Sequence, residues 1–211
     1  MIITLNDVGK RFNHEWIFRH VHARFQINNP HAIVGSNGSG KSTLLPCISG
    51  ALMFNEGTIS YLEAGQSVDA EKTYTHISLA APYLELIEEM TALELIDFHS
   101  AFKKWVYNPS EILNKAGLNE AAHKQIRFYS SGMKQRLKLA QAFFSETRVL
   151  LLDEPCSNLD ITGVEMYRSW INDYTKDRIV IIASNDKQEY DFCKESISMS
   201  SFKSSSPRSN Q

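Results

Sequence analysis

The stretch Gly35-Ser36-Asn37-Gly38-Ser39-Gly40-Lys41-Ser42-Thr43 constrains this chain more than any other. An apolar run, His31-Ala32-Ile33-Val34, leads into it, and Thr43-Leu44-Leu45 leads out as the start of a helix. Strand, glycine-rich loop and helix, with the spacing G-x-x-x-x-G-K-[ST], make a phosphate-binding loop. Glycine lacks the Cβ that would hold backbone N–H groups away from an anion. The helix turns its positive end toward the same point. All nine residues, Gly35 to Thr43, are therefore candidate contacts to the phosphates of a nucleotide. Lys41 is placed to reach the outer phosphates, and Ser42 to give its hydroxyl to Mg²⁺.

At 211 residues the chain is long enough for one large domain or two small lobes, and 43% hydrophobic residues allow a sizeable core. The net charge of −2 gives no electrostatic case for nucleic acid. Cys47, Cys156 and Cys193 fit neither a metal pattern nor a disulfide framework, which favours a reducing compartment and ordinary packing for each. The start, Met1-Ile2-Ile3-Thr4-Leu5, reads as a strand, not a signal peptide. No apolar run approaches the length of a membrane span.

Along the chain, short strands are expected at 2–5, 16–18 and 21–27, then at 32–34, 58–62 and 76–79. A helix over 41–52 follows the phosphate loop, with Pro46 in its first turns. Residues 76–145 change character: after the strand at 76–79, which ends at Pro82, the chain reads as mostly helical. Thr91 with Glu94 is a capping box for a helix to about residue 103, whose face carries Leu95, Phe98 and Phe102. Asn108-Pro109-Ser110-Glu111 starts a second helix and Gly117 stops it. A third begins after residues 130–132, with Met133, Leu137, Ala140 and Phe144 on its core side. Residues 149–152 and 179–183 are continuously apolar, as strands buried on both faces should be. A helix over 161–173 joins them. From residue 196 structure signals fade, and the Ser-rich stretch 203–211 is expected to be disordered.

The strand at 149–152 ends in Asp153-Glu154. Over a hundred residues after a phosphate loop, such a pair reads as the second half of a nucleotide hydrolase. Asp153 would hold Mg²⁺ through its water shell. Glu154 would orient and deprotonate the attacking water as a general base.

Phe128-Tyr129-Ser130-Ser131-Gly132-Met133-Lys134-Gln135-Arg136 resembles the signature motif of the ABC ATPase family, L-S-G-G-Q followed by Q-Q-R. The order of motifs is similar too: phosphate loop, signature, acidic strand end, then Ser157-Asn158-Leu159-Asp160 as the D-loop. The similarity spans roughly residues 1–195. It implies an α/β fold: a P-loop core with a parallel sheet, an N-terminal antiparallel β subdomain, and an inserted helical subdomain near 83–145, together one domain over 1–202. It also implies two units paired head to tail, each ATP lying between one phosphate loop and the partner's signature, where Ser130 and Gly132 would meet the γ-phosphate.

Three departures from the family pattern stand out. Tyr129, Ser131 and Met133 replace Leu, Gly and Gln in the signature. The glutamine of the family's Q-loop is missing from Leu79-Ala80-Ala81-Pro82-Tyr83, its place falling at Ala81 or Pro82. The family's switch histidine falls at Asn185, with Ser184 and Asp186 as neighbours able to take over the role. For the family's adenine-stacking aromatic, Phe12 matches best and Trp16 comes second.

What the resemblance implies is an ATP-hydrolysing subunit of an ABC transporter, a homodimer with cofactors ATP and Mg²⁺. It would lie on the cytoplasmic face of the inner (plasma) membrane, attached to an integral membrane permease and engaging no nucleic acid. Glu85, Glu88 and Glu89, beside Leu84, Leu86 and Ile87, are expected on the permease-facing surface. The alternatives are a soluble ABC ATPase without a transport role and a nucleotide-binding switch with weak hydrolysis.

Overall fold

A computed structural model describes residues 1–202. The chain opens with two long antiparallel strands, β1 (Ile2–Phe12) and β2 (Glu15–Gln26). Polar and charged residues inside them suggested breaks, and so three short strands were expected. Asp7 and His20 instead sit in the left-handed region, with φ of 55° and 58°, and the register shifts between Leu5 and Val8 and again further on. These are bulges: the extra residues disturb the alternation without ending the pairing. The 203–211 stretch, expected to be disordered, lies outside the described residues.

β3 (His31–Val34) feeds the phosphate loop, and α1 (Lys41–Ser49) leaves it. The helix ends at Ser49, three residues short of the expected end at residue 52, and is capped by Gly50 at φ 78°. Pro46 is its sixth residue, beyond the first turn, where a missing N–H costs the helix a hydrogen bond. β4 (Glu56–Glu63) and the short β5 (Gln66–Ser67) complete a four-stranded antiparallel sheet in the order β2-β1-β4-β5. A single turn, α2 (Thr73–His76), precedes β6 (Ile77–Ala80).

Three helices then intervene before the chain returns to the sheet. α3 (Ala92–His99) and α4 (Pro109–Lys115) each begin with a complete capping box, Thr91 with Glu94 and Asn108 with Glu111. Such caps are worth about 1 kcal/mol each. α3 ends before residue 103, and Phe98 and Phe102 lie exposed, ring to ring at 5.3 Å, while Leu95 is buried. α5 (Ser131–Phe144) buries Leu137, Ala140 and Phe144 as its spacing requires. β7 (Val149–Asp153), α6 (Ile161–Tyr174), β8 (Ile179–Ala183) and β9 (Glu195–Ser198) follow. β9 escaped the sequence reading because only Ile197 among its four residues is apolar. It is an edge strand, supported by β3 alone.

The second sheet is parallel, in the order β6-β7-β8-β3-β9. Every residue of β7 and β8 is buried, and alternate residues serve different cores. Val149 and Leu151 pack with α1 and the antiparallel sheet. Leu150 and Leu152 pack with the helices between β6 and β7 and with α6. The phosphate loop and Asp153 both emerge at the carboxyl ends of central strands, where open α/β sheets bind ligands.

Candidate functional site

The phosphate loop wraps a pocket of about 310 Å³, walled by Ile17, the loop from Asn37 to Thr43, and Glu154. Gly40 has φ 99°, and a Cβ there would lie 2.8 Å from Ile17 Cγ2. Glycine is therefore required both by conformation and by the close approach of β2. Lys41 is 4% exposed. Its ammonium donates to the Gly35 carbonyl at 2.8 Å, the Ser36 carbonyl at 3.4 Å and Asn185 Oδ1 at 3.1 Å. The Asn185 amide in turn donates to the Asn37 side chain. The position aligned with the family's switch histidine thus meets the phosphate loop itself.

Asp153 closes β7 and is 1% exposed, with neither carboxylate oxygen hydrogen-bonded. Burial pushes its pKa above the usual carboxylate range. The nearby Ser42 hydroxyl pulls it down, the Glu154 charge adds to the rise, and Lys41 opposes it. A buried, unpaired carboxylate is costly unless a cation meets it. With a serine hydroxyl beside it, the donor set is all oxygen, which suits Mg²⁺. The fit is therefore good: Ser42 and Asp153 could hold the ion, and Lys41 and the loop N–H groups the phosphates. Glu154 follows with φ 42°, a strained conformation for a non-glycine residue, and its N–H donates to the Ala183 carbonyl at 2.8 Å.

Ser130 and Gly132 do not join this pocket. They line another, of about 380 Å³, with Ser131, Met133, Arg136, Asn158 and Asp160. Ser130 caps α5 by accepting from the Met133 N–H at 3.2 Å. A Cβ on Gly132 would lie 3.0 Å from the Asn158 carbonyl, so the signature and the D-loop pack backbone to backbone. Arg136 pairs with Asp160 at 2.6 Å.

Phe12 stands at the end of β1, 48% exposed, with the Lys10 ammonium 4.8 Å from its ring centre. The guanidiniums of Arg11 and Arg19 lie 5.4 and 4.4 Å from the ring centre of Trp16. Neither ring lines the phosphate pocket; Ile17 does, a residue that no local motif marks. Tyr83, just beyond the two places considered for the Q-loop residue, has its phenol pushed up by burial and then by the Asp153 charge. Of the expected docking glutamates, Glu88 is ion-paired to Lys134, while Glu85 and Glu89 line the same exposed groove.

Residues 18–157 match the family model described as ABC transporter. The chain belongs to the ABC transporter family. Among the curated members it resembles is an uncharacterised ABC transporter ATP-binding protein of Bacillus subtilis, YxlF. The two are 35% identical over 167 residues, or 77% of this chain and 55% of that protein. The sulfate/thiosulfate import ATP-binding protein CysA of Mesostigma viride is 30% identical over 90% of this chain and 56% of its own length. The chain thus spans a little over half the length of these ABC relatives. Among solved structures it resembles a dimeric ATP-binding cassette in a post-hydrolysis state, bound to ADP and Pi. The TM-score is 0.77 at 22% identity, covering 93% of each chain. The fold is that of an ABC ATPase domain, with a parallel core, an antiparallel sheet and inserted helices.

Proposed function

We propose that this ABC protein binds ATP with Mg²⁺ at the phosphate loop and hydrolyses it, as one of two subunits paired head to tail beneath a separate membrane permease. The observation that carries the reading is Asp153. Its carboxylate is buried, lacks any hydrogen bond, and sits beside Ser42 and Lys41, with Glu154 on the wall of the same pocket. When bound, Mg²⁺ neutralises charge on the phosphates. Lys41 and the loop N–H groups hold the outer phosphates in place. Glu154 takes the proton of the attacking water, and Asn185 positions the γ-phosphate beside Lys41. Phe12 offers its exposed face to the adenine ring.

Pairing is supported by the separation of the two pockets. Ser130 and Gly132 share no wall with the phosphate loop of their own chain. A helix N-terminus that favours anions therefore waits for a nucleotide carried by a second copy. A transport role is supported by what the relatives are called: one is named an import ATP-binding protein, and a cytochrome c biogenesis ATP-binding export protein of Xylella fastidiosa is 35% identical over 67% of this chain. No helix among the described residues is long and apolar enough to cross a membrane. The exposed side chains of Leu84, Ile87 and Phe98 offer an apolar docking surface, and the subunit would lie on the cytoplasmic face of the membrane. No nucleic acid enters this scheme. The test is co-purification with a multi-span membrane protein, together with ATP turnover that rises more than linearly with subunit concentration. Linear turnover with no membrane partner would refute the reading.

A further inference from the structure

The peptide group between Pro155 and Cys156 is held from both sides. Its carbonyl accepts from Gln135 Nε2 at 2.8 Å, and its N–H donates to Glu189 Oε1 at 2.8 Å. Gln135 is 3% exposed and Glu189 5% exposed, so neither contact is a surface accident. This is the second peptide after Glu154, separated from it only by the ring of Pro155, and the backbone of Glu154 is itself strained at φ 42°.

The two side chains come from elements that serve different parts of the nucleotide site. Gln135 lies on α5, little more than a turn after Ser130 and on the face shared with Gly132 and Arg136, which touch Asn158 and Asp160. The signature helix is thus laced to the loop 154–160 at three levels. Glu189 ends the turn that starts at Asp186, directly after Asn185. Asp186 caps that turn by accepting from the Gln188 N–H at 2.9 Å. The fully buried Tyr167 donates its hydroxyl to the Glu189 carbonyl at 2.7 Å. Glu189 therefore cannot move without disturbing α6, and Asn185 is tied to Lys41 and Asn37 at the other end.

We propose that Gln135 and Glu189 are positioning residues for the Glu154 carboxylate, acting through the single Pro155–Cys156 peptide that both hold. The inference rests on Glu154 being the general base of ATP hydrolysis. A strained residue keeps its conformation only where its surroundings over-determine it. Here the over-determination comes from the signature helix on one side and the γ-phosphate-facing turn on the other. Freeing either hand lets Glu154 relax, and displacement by about 1 Å costs up to about 10²-fold in rate. Nucleotide binding, made by the phosphate loop, is left alone.

The experiment uses the full chain and the variants Gln135→Leu, Glu189→Leu, Glu189→Asp and Glu189→Gln. Leucine removes the hydrogen bond, aspartate keeps the charge but falls short of Cys156, and glutamine keeps an acceptor oxygen at full length. The expected result is kcat lowered about 10- to 100-fold in the leucine and aspartate variants. ATP affinity stays within about twofold, and glutamine stays near the parent rate. The double leucine variant falls little below the worse single, because one peptide is released only once. Amide exchange at Cys156 quickens in Glu189→Leu and Glu189→Asp but not in Glu189→Gln. The inference is overturned if the leucine and aspartate variants turn over like the parent, if affinity falls in step with kcat, if the two losses multiply, or if glutamine is as slow as leucine. Absence of turnover in the parent, measured first, would instead refute the ATPase reading and this inference with it.

Discussion

Lys41 Nζ lies 3.1 Å from Asn185 Oδ1, joining the phosphate loop to the end of β8 across 144 residues of sequence. Lys41 also donates to two loop carbonyls, so its charge is held at the mouth of the pocket and not in bulk water. Those contacts are the ones an incoming phosphate would replace.

Lys41→Ala should therefore abolish tight ATP binding. The lysine is the sole cation within the loop sequence, and neutralising phosphate charge is the task proposed for it. Isothermal calorimetry checks it; a variant with parental affinity would remove Lys41 from the site.

On the proposed reading Asn185 would offer the γ-phosphate an amide with N–H donors but no positive charge. Losing one preorganised donor of this kind costs about 10²–10³-fold in other enzymes. Asn185→Ala should slow turnover, and Asn185→His should raise it above the parent, with ATP affinity held in both. Steady-state ATPase assays decide; equal rates in all three proteins would place Asn185 outside the reaction.

Glu154→Gln should bind ATP as the parent does and hydrolyse it at least about 10²-fold more slowly, since on the proposed reading only the base is lost. With Mg-ATP it should run on a sizing column as a dimer. Parental turnover in this variant would assign the base elsewhere.

Legibility in the sequence followed the range of the physics. The phosphate loop, Asp153-Glu154 and the capping boxes at Thr91 and Asn108 each act within a few residues, so their spacing betrayed them. The buried strands β7 and β8 were readable because continuous apolar residues admit few other fates. Asp7 and His20 misled because a bulge looks like a break when only alternation is read. β9 was invisible because three of its four residues are polar, and only its pairing with β3 makes it a strand. The grip of Glu189 on Cys156 spans 33 residues and leaves no local pattern. Ile17 reached the nucleotide pocket only because Gly40 leaves room for it.

A final prediction concerns stability. Arg178, just before β8, is buried, and burial lowers its pKa to about 10, so it stays charged at neutral pH. No carboxylate is paired with it among the described residues. It donates instead to the Phe143 carbonyl at 2.8 Å, the Ala142 carbonyl at 3.2 Å, Thr147 Oγ1 at 2.7 Å and Ser78 Oγ at 2.9 Å. The two carbonyls belong to the last turn of α5, the negative end of the helix dipole, which stands in for a counter-ion. Arg178→Met would keep much of the packing and leave these acceptors buried without their donor. The expected cost is about 2–4 kcal/mol, since each orphaned buried group costs about 1–3 kcal/mol and some relaxation follows. In a protein of this size that lowers Tm by roughly 5–15 °C. Arg178→Lys should fall between the two, because an ammonium cannot span four acceptors that a planar guanidinium reaches at once. Arg178 sits before the first residue of β8, at the amino end of the parallel strands and away from the carboxyl ends that carry the phosphate loop, so ATP affinity at low temperature should hold in both variants. Thermal melts followed by circular dichroism, with calorimetric ATP titrations beside them, make the test. A methionine variant melting with the parent would show that α5 closes without the arginine.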